Sequence, residues 1–247
     1  MRLALELGRE DSWSVAARWL PAQLAGQRKQ MQVTIRGVTV TIRTGTTDLE
    51  VVLASLRGEF DELIAAVPSL RHGLIVDAGG YIGTAAIVFA RAYPDATVLT
   101  LEPSGENFAL LTKNVAPFAN IKPIKTAISS TKETIDLRDR GTGHWGLTIV
   151  ETPEDNTASV IEKVDCLTVQ DLLEQYGHGG IDIFKIDIEG GEYKLLSAQT
   201  DWIGNTGAIC IELHDRIVHG CSQLYERSIA GRVNSKLDGE KYISLSA

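Results

Sequence analysis

From residue 73 to residue 213 the chain alternates short apolar runs with longer helix-compatible stretches, the pattern of a parallel sheet covered by helices. Residues 73–76 are apolar and partly β-branched and predict a buried strand, followed by an alanine-rich helix over Thr84–Ala92. A second strand falls at 97–102 and a second helix at 106–115. The third strand is expected at 120–128, a helix at 168–176, and further strands at 181–187 and 208–213. Residues 241–245 predict a last, antiparallel edge strand. Residues 131–164 break this rhythm. They are turn-rich, with Gly141, Gly143, Gly146 and Pro153, and strand-like pieces at 134–138, 147–150 and 160–164 predict a small antiparallel insertion.

Upstream the pattern is different. Residues 1–30 predict one or two amphipathic helices, with Trp13, Ala17, Trp19 and Leu20 apolar and Pro21 interrupting. Apolar positions then alternate through Val33, Ile35, Val38, Val40 and Ile42 around Arg36-Gly37, which predicts a hairpin. Residues 44–48 form a loop and helix cap, leading into a helix that reaches Ala66 before Pro68. Residues 1–48 are therefore an extension that the central sheet does not need. A two-stranded hairpin and two tryptophans must pack on something. The expectation is a lid over the site or a homodimer contact, with Arg43 to Asp48 leading into the site; the alternative is that the segment packs only on the back of its own domain.

The chemistry sits where strands end. Ile75-Val76-Asp77-Ala78-Gly79-Gly80-Tyr81-Ile82-Gly83 closes the first strand with an acid and a glycine-rich turn. Such a turn lets a nucleotide-type ligand approach the main chain. A dinucleotide fingerprint needs G-x-G-x-x-G, and Ala78 stands at its first glycine. Asp77 would also repel a diphosphate. A ligand carrying an amine and a sulfonium tolerates that acid, and S-adenosyl-L-methionine carries both without a phosphate. Glu102 ends the second strand, where an acid hydrogen-bonds ribose hydroxyls in this architecture. It can equally serve as an N-terminal helix charge, and the two roles are compatible.

Net charge sharpens this. At −8 over 247 residues, the chain lacks the basic surface that nucleic acid or an anionic membrane requires. No apolar run approaches a membrane span, and Glu6, Arg9, Glu10 and Asp11 interrupt any signal-peptide core. Cys166, Cys210 and Cys221 are odd in number and lack metal-ligand spacing, which favours a reducing cytoplasm.

Lys185-Ile186-Asp187-Ile188-Glu189-Gly190-Gly191-Glu192 gathers three acids at the end of the fourth strand and the turn after it. Carboxylates this close repel unless a cation, proton or donor offsets them. Taken together, the motifs resemble the FkbM family of S-adenosylmethionine-dependent methyltransferases. The matching pieces are V-D-A-G-G-Y-I-G at 76–83, L-E-P-S at 101–104, R-T-G-T-T-D at 43–48, V-D-C-L-T-V at 164–169, I-D-I-F-K-I-D-I-E-G-G-E at 181–192 and I-E-L-H at 211–214. The resemblance covers roughly residues 40–215, and K-I-D-I-E-G-x-E is its specific part. The chain departs from the family's usual pattern at Ala78 and Gly80.

This resemblance implies a class I methyltransferase, Rossmann-like α/β fold. Its sheet would be seven-stranded and mostly parallel, with helices on both faces and the helix-hairpin extension in front. Residues 49–247 would form the S-adenosylmethionine-binding domain. Family members mostly methylate hydroxyl oxygens of sugars, polyketides and other secondary metabolites, so the expected partner is a small-molecule hydroxyl acceptor. Cofactor contacts are expected from Asp77, Gly79, Gly80, Tyr81, Gly83, Glu102, Pro103, Ala127, Ile128 and Asp187. Asp187, Glu189 and His214 are the expected catalytic residues, since an alcohol must lose its proton. His144 lies in a glycine-rich loop that could cover substrate but reads slightly better as a plain surface turn. Clustered carboxylates also suit magnesium, but spacing does not separate a metal site from hydrogen-bonded acids, and no metal is assigned. A nicotinamide-dependent oxidoreductase and a non-catalytic Rossmann-like module remain the alternatives.

Overall fold

The chain opens with α1 (Arg2–Glu10) and α2 (Trp13–Leu24). Ser12 caps α2, accepting the Val15 amide at 3.2 Å, one of the donors a helix start leaves unpaired. The expected break at Pro21 does not occur: α2 continues to Leu24, and proline removes its own amide bond without ending the helix. β1 (Gln30–Ile35) and β2 (Val38–Arg43) form the predicted hairpin, with Ile35 opposite Val38. Arg36 and Gly37 have φ of 47° and 76°, which a two-residue type I′ turn requires.

This is a computed structural model; it describes residues 1–141, 146–151, 158–176, 178–198, 200–237 and 239–246. His144 and Pro153 lie outside them. The single helix expected before Pro68 is two, α3 (Asp48–Ala54) and α4 (Asp61–Ala66), joined by a π turn at Ser55–Glu59 that kinks at Gly58. The αβ alternation follows as β3 (Leu74–Ala78), α5 (Thr84–Ala92), β4 (Thr97–Leu101), α6 (Gly105–Val115) and β5 (Ile121–Ile124). The insertion contains β6 (Ala127–Ile128), β7 (Thr134–Asp139), β8 (Leu147–Thr148) and β9 (Ser159–Leu167). After α7 (Val169–Tyr176) come β10 (Ile181–Ile186), α8 (Gly191–Leu196), α9 (Asp201–Gly204) and β11 (Thr206–Glu212). α10 (Cys221–Ser228), β12 (Val233–Lys236) and β13 (Lys241–Leu245) complete the fold.

Among the described residues, seven strands form the central sheet in the order β12-β13-β11-β10-β3-β4-β5. β5, β4, β3, β10 and β11 are parallel neighbours, and β13 runs antiparallel to both β11 and β12. Adjacent residues point to opposite faces. Ile75 joins one apolar core with Ile87, Val98 and Leu111, while Val76 joins the other with Leu99, Phe184 and Trp202. Burial on both faces is why these strands read as apolar runs rather than alternating ones. Leu7, Trp19 and Val33 share the first core, so the extension packs continuously onto one face of the sheet. Asn114 of α6 fixes the hairpin, accepting the Thr41 amide at 2.7 Å and donating to its carbonyl at 3.0 Å.

Two strand expectations need correction. The third strand splits: β5 stays at the edge of the main sheet, where Pro123 is tolerated. Ala127 and Ile128 instead pair with Cys166 and Leu167 in a second sheet, β6-β9-β7-β8. β13 is antiparallel as expected but is not the edge, because β12 lies outside it. β12 is Val-Asn-Ser-Lys and fully exposed, so it carries no apolar pattern to read. Cys166, Cys210 and Cys221 are buried, unpaired thiols. Among the described residues, no helix is long and apolar enough to cross a membrane.

Candidate active site

The carboxyl ends of β3, β4, β10 and β11 lie side by side, and the loops leaving them build the site. Gly79 has φ 78°, and a Cβ there would sit 1.7 Å from the Asp187 carbonyl oxygen. Only glycine lets the β3 turn lie against the β10 end. Asp77 is fully buried beneath this turn. It accepts the Thr100 hydroxyl at 2.8 Å and pairs with Lys185 Nζ at 3.2 Å. Lys185 also donates to the Gly79 carbonyl at 2.8 Å and lies 3.6 Å from Asp187 Oδ2. Burial opposes its charge, but the two carboxylates hold its pKa above the ordinary lysine value.

Glu102 follows β4 and is caged by neutral donors. The Tyr81 amide reaches Oε2 at 2.9 Å, the Ser104 amide reaches Oε1 at 2.9 Å, and Asn107 Nδ2 reaches Oε1 at 3.4 Å. Burial pushes Glu102 up to about 7 against these donors. Tyr81 takes φ 50°, an uncommon conformation for a residue with a side chain and one found at sites where geometry is imposed. Its hydroxyl donates to Asp48. Arg43 grips Asp48 through Nε and Nη2 at 3.0 Å each, reaches Asn107 Oδ1 at 2.9 Å, and lies 5.5 Å from the Tyr81 ring centroid. The R-T-G-T-T-D loop is thus a brace behind the Glu102 turn.

The second edge is more charged. His214 follows β11 and is fully buried. Its Nδ1 lies 3.0 Å from Glu192 Oε1. Glu192 also accepts the amides of Ile188 and Gly190 at 2.8 Å each, which closes the turn after β10. Burial alone would lower the His214 pKa, but the Glu192 hydrogen bond and the surrounding carboxylates push it up to about 9. Glu189 has φ 50°, and burial together with Asp187 pushes its carboxyl up to about 7 against the pull of His214. Burial and Asp187 likewise raise Glu212.

A cavity of about 410 Å³ joins the two edges. Its wall includes Gly79, Gly80, Tyr81, Glu102, Pro103, Ala127, Ile128, Asp187 and Glu189, all expected from the sequence. Three expected residues are not on that wall. Asp77 supports it from below through Lys185. Gly83 turns toward Leu111 and Val115 at the start of α5. His214 is not itself a lining residue, but its Nε2 lies 3.8 Å from Asp187 Oδ1 and 3.7 Å from Glu189 Oε1, which are on the wall. Lys185, Glu212, Lys241 and, from the kinked helices, Glu50, Val51, Ala54, Ser55, Glu59 and Phe60 are further lining residues that sequence reasoning missed. Lys185 and Glu212 lie inside motifs that were read only for their neighbours. The insertion contributes Leu137, Leu147 and Ile149, tied down where the Thr148 hydroxyl donates to the Glu189 carbonyl at 2.5 Å. Among the described residues the wall takes nothing from residues 1–46.

The sheet order, the glycine turn and the two acid edges can be set against known proteins. A sequence model of the FkbM methyltransferase domain matches residues 77–232, well over half of the chain. The chain belongs to the FkbM methyltransferase family. Methyltransferase sdnD of Sordaria araneosa is 26% identical over 162 residues, covering 54% of this chain and 62% of sdnD. This FkbM chain therefore spans less than two thirds of that relative. Hexuronic acid methyltransferase AglP of Haloferax volcanii is 23% identical over 199 residues, covering 79% of each chain. Among solved structures, an S-adenosylmethionine-dependent methyltransferase from Agrobacterium tumefaciens superposes with TM-score 0.48 at 12% identity, covering 87% of this chain and 69% of that one. An O-methyltransferase from Bacillus cereus in complex with S-adenosylhomocysteine gives 0.43 at 15% identity, covering 77% and 89%.

Membership in a methyltransferase family sets aside the oxidoreductase. The FkbM domain is a methyltransferase of the class I fold, with S-adenosylmethionine as its cofactor. The donor set of this chain fits that cofactor. Glu50, Glu59, Glu102, Asp187, Glu189 and Glu212 outnumber Lys185 and Lys241 on the wall, which suits a phosphate-free cation.

Proposed function

We propose that this chain methylates a hydroxyl oxygen on a small-molecule, sugar or secondary-metabolite acceptor. The observation that carries the reading is the pairing of Asp187 and Glu189 on the wall of the same cavity as Glu102 and the glycine turn. Ionised carboxylates only accept hydrogen bonds, so this edge orients an incoming hydroxyl and draws off its proton. Glu102, fixed by amides, offers its remaining lone pairs to the ribose hydroxyls. Ala127, Ile128 and Pro103 border the adenosine, and Lys185 keeps Asp187 in place beside Gly79. When bound, S-adenosylmethionine supplies an electrophilic methyl group on a sulfonium. Asp187 and Glu189 would hold the acceptor hydroxyl and take its proton as the oxygen is methylated. Holding the acceptor in line is the main task of the wall.

The cavity volume is that of small-molecule sites, about 300–1,000 Å³, and the acidic chain favours neither nucleic acid nor membrane. The name of the AglP relative supports a sugar-type acceptor. Buried, unpaired cysteines support a cytoplasmic setting. Exposed Trp13 and Leu24 on α2 support a homodimer contact by the extension. The test is incubation with labelled S-adenosylmethionine and a panel of glycosides, uronic acids and polyketide alcohols, with the new bond located by NMR. A methyl ether is expected. Methylation confined to nitrogen, carbon or a carboxylate overturns the reading.

A further inference from the structure

Three carboxylates aim at one histidine nitrogen that has no hydrogen-bond partner. His214 Nε2 lies 3.8 Å from Asp187 Oδ1, 3.7 Å from Glu189 Oε1 and 3.8 Å from Glu212 Oε1. In each carboxylate a cation faces the other oxygen. Lys185 is 3.6 Å from Asp187 Oδ2, Arg216 is 3.5 Å from Glu189 Oε2, and Lys241 is 3.6 Å from Glu212 Oε2. The remaining oxygens are thereby turned toward Nε2. That nitrogen is buried and makes no hydrogen bond, on a side chain that is itself fully buried. Nδ1 is held by Glu192, which is held in turn by two backbone amides. A carboxylate that accepts a hydrogen bond from Nδ1–H leaves Nε2 presenting its lone pair, which is how metal-binding histidines are oriented.

We propose that Asp187, Glu189 and His214 form a divalent-cation site on the cavity wall, where the ion holds the acceptor hydroxyl. Their three ligand atoms lie within 4.8 Å of one another. Donors about 2.1 Å from one ion stand roughly 3–4 Å apart, depending on angle. Two hard carboxylate oxygens with one imidazole suit Mn²⁺ or Mg²⁺. Glu212 and Glu240 make a second grouping around the same nitrogen, but Asp187 and Glu189 both line the cavity and Glu240 does not. The site deepens the hydroxyl-methylation reading and rests on it only for what the ion holds. The rival occupant of the gap is a proton on Nε2, which makes the cluster a metal-free ion-pair network.

The test counts Mn²⁺ on the full chain by electron paramagnetic resonance after chelator treatment and exchange into metal-free buffer. One ion per chain is expected. Affinity should fall about 10–100-fold in Glu192→Gln, the range for removing an outer partner of a metal-ligating histidine, and at least as far in Glu189→Gln. S-adenosylhomocysteine calorimetry on each variant shows that the fold survives. No stoichiometric Mn²⁺ in the wild type, or unchanged affinity in both folded variants, overturns the site. Bound Mn²⁺ in a chain that methylates no hydroxyl supports the site and removes the hydroxyl-methylation reading instead.

Discussion

Glu102 and Glu189 are both buried carboxyls pushed up to about 7, yet their surroundings share almost nothing. Glu102 is fixed by two amide N–H groups and an asparagine, all neutral, so its charge stays available to whatever enters the cavity. The Glu189 carboxyl sits among Asp187, His214 and Arg216, all of them ionisable. A neutral cage makes a binding group with fixed geometry. A charged cluster makes a group whose state depends on its neighbours, which is what a reacting edge requires. The two edges of one cavity are therefore expected to fail separately.

The largest effect should come from the charged edge. Asp187→Asn is expected to lower turnover by about 10²–10⁴-fold, the usual contribution of a group that receives a proton. Affinity for S-adenosylhomocysteine should stay nearly unchanged in calorimetry. A parallel loss of affinity would merge the two edges into one cofactor pocket. Next in size, Glu102→Ala should weaken S-adenosylhomocysteine by about 1.5–3 kcal/mol, the range for hydrogen bonds to a charged group. Unchanged binding in a folded variant removes the ribose assignment.

The pH dependence sharpens the contrast. Burial raises Glu102, so its carboxyl carries a proton below about pH 7 and loses an acceptor site. Ribose hydroxyls favour the ionised form. Affinity in the wild type should therefore fall as pH drops below about 7, by at most ~10-fold per pH unit for one proton. Glu102→Gln should bind weakly with a flat profile over that window. A wild-type profile equally flat would mean that Glu102 does not titrate with the ligand.

The smallest effect is expected behind the neutral cage. Tyr81→Phe removes the hydroxyl that reaches Asp48, at a cost of about 1 kcal/mol. That corresponds to a melting temperature lower by roughly 2–4 °C for a chain of this size. No shift would mean that Arg43 alone holds Asp48.

The difference between the edges also governs what could be read in advance. Asp77, Glu102 and Asp187 stand out because each acid ends an apolar run, and such a break shows in one dimension. The cage around Glu102 and the brace behind it do not, since they join residues 81, 104 and 107 to residues 43 and 48 far upstream. His214 was legible as a histidine after a strand, but not as a buried one, because Glu192 and Glu189 reach it from another turn. Ala127 and Ile128 were placed on the wall while their sheet was not, since their partners Cys166 and Leu167 lie about forty residues downstream. β12, exposed and mostly polar, carries no apolar pattern, and α9 and α10 are likewise absent from the sequence reading.

β13 is laid between two strands that precede it in the chain, β11 and β12. A ribosome delivers those two first, so they emerge before the strand that joins them, and β11 waits with an unpaired flank. Lys241 opens β13, pairs with Glu59 and Glu212, and lines the cavity. Of β13 only Lys241 reaches the cavity, so that corner of the wall is complete only when β13 lies beside β11.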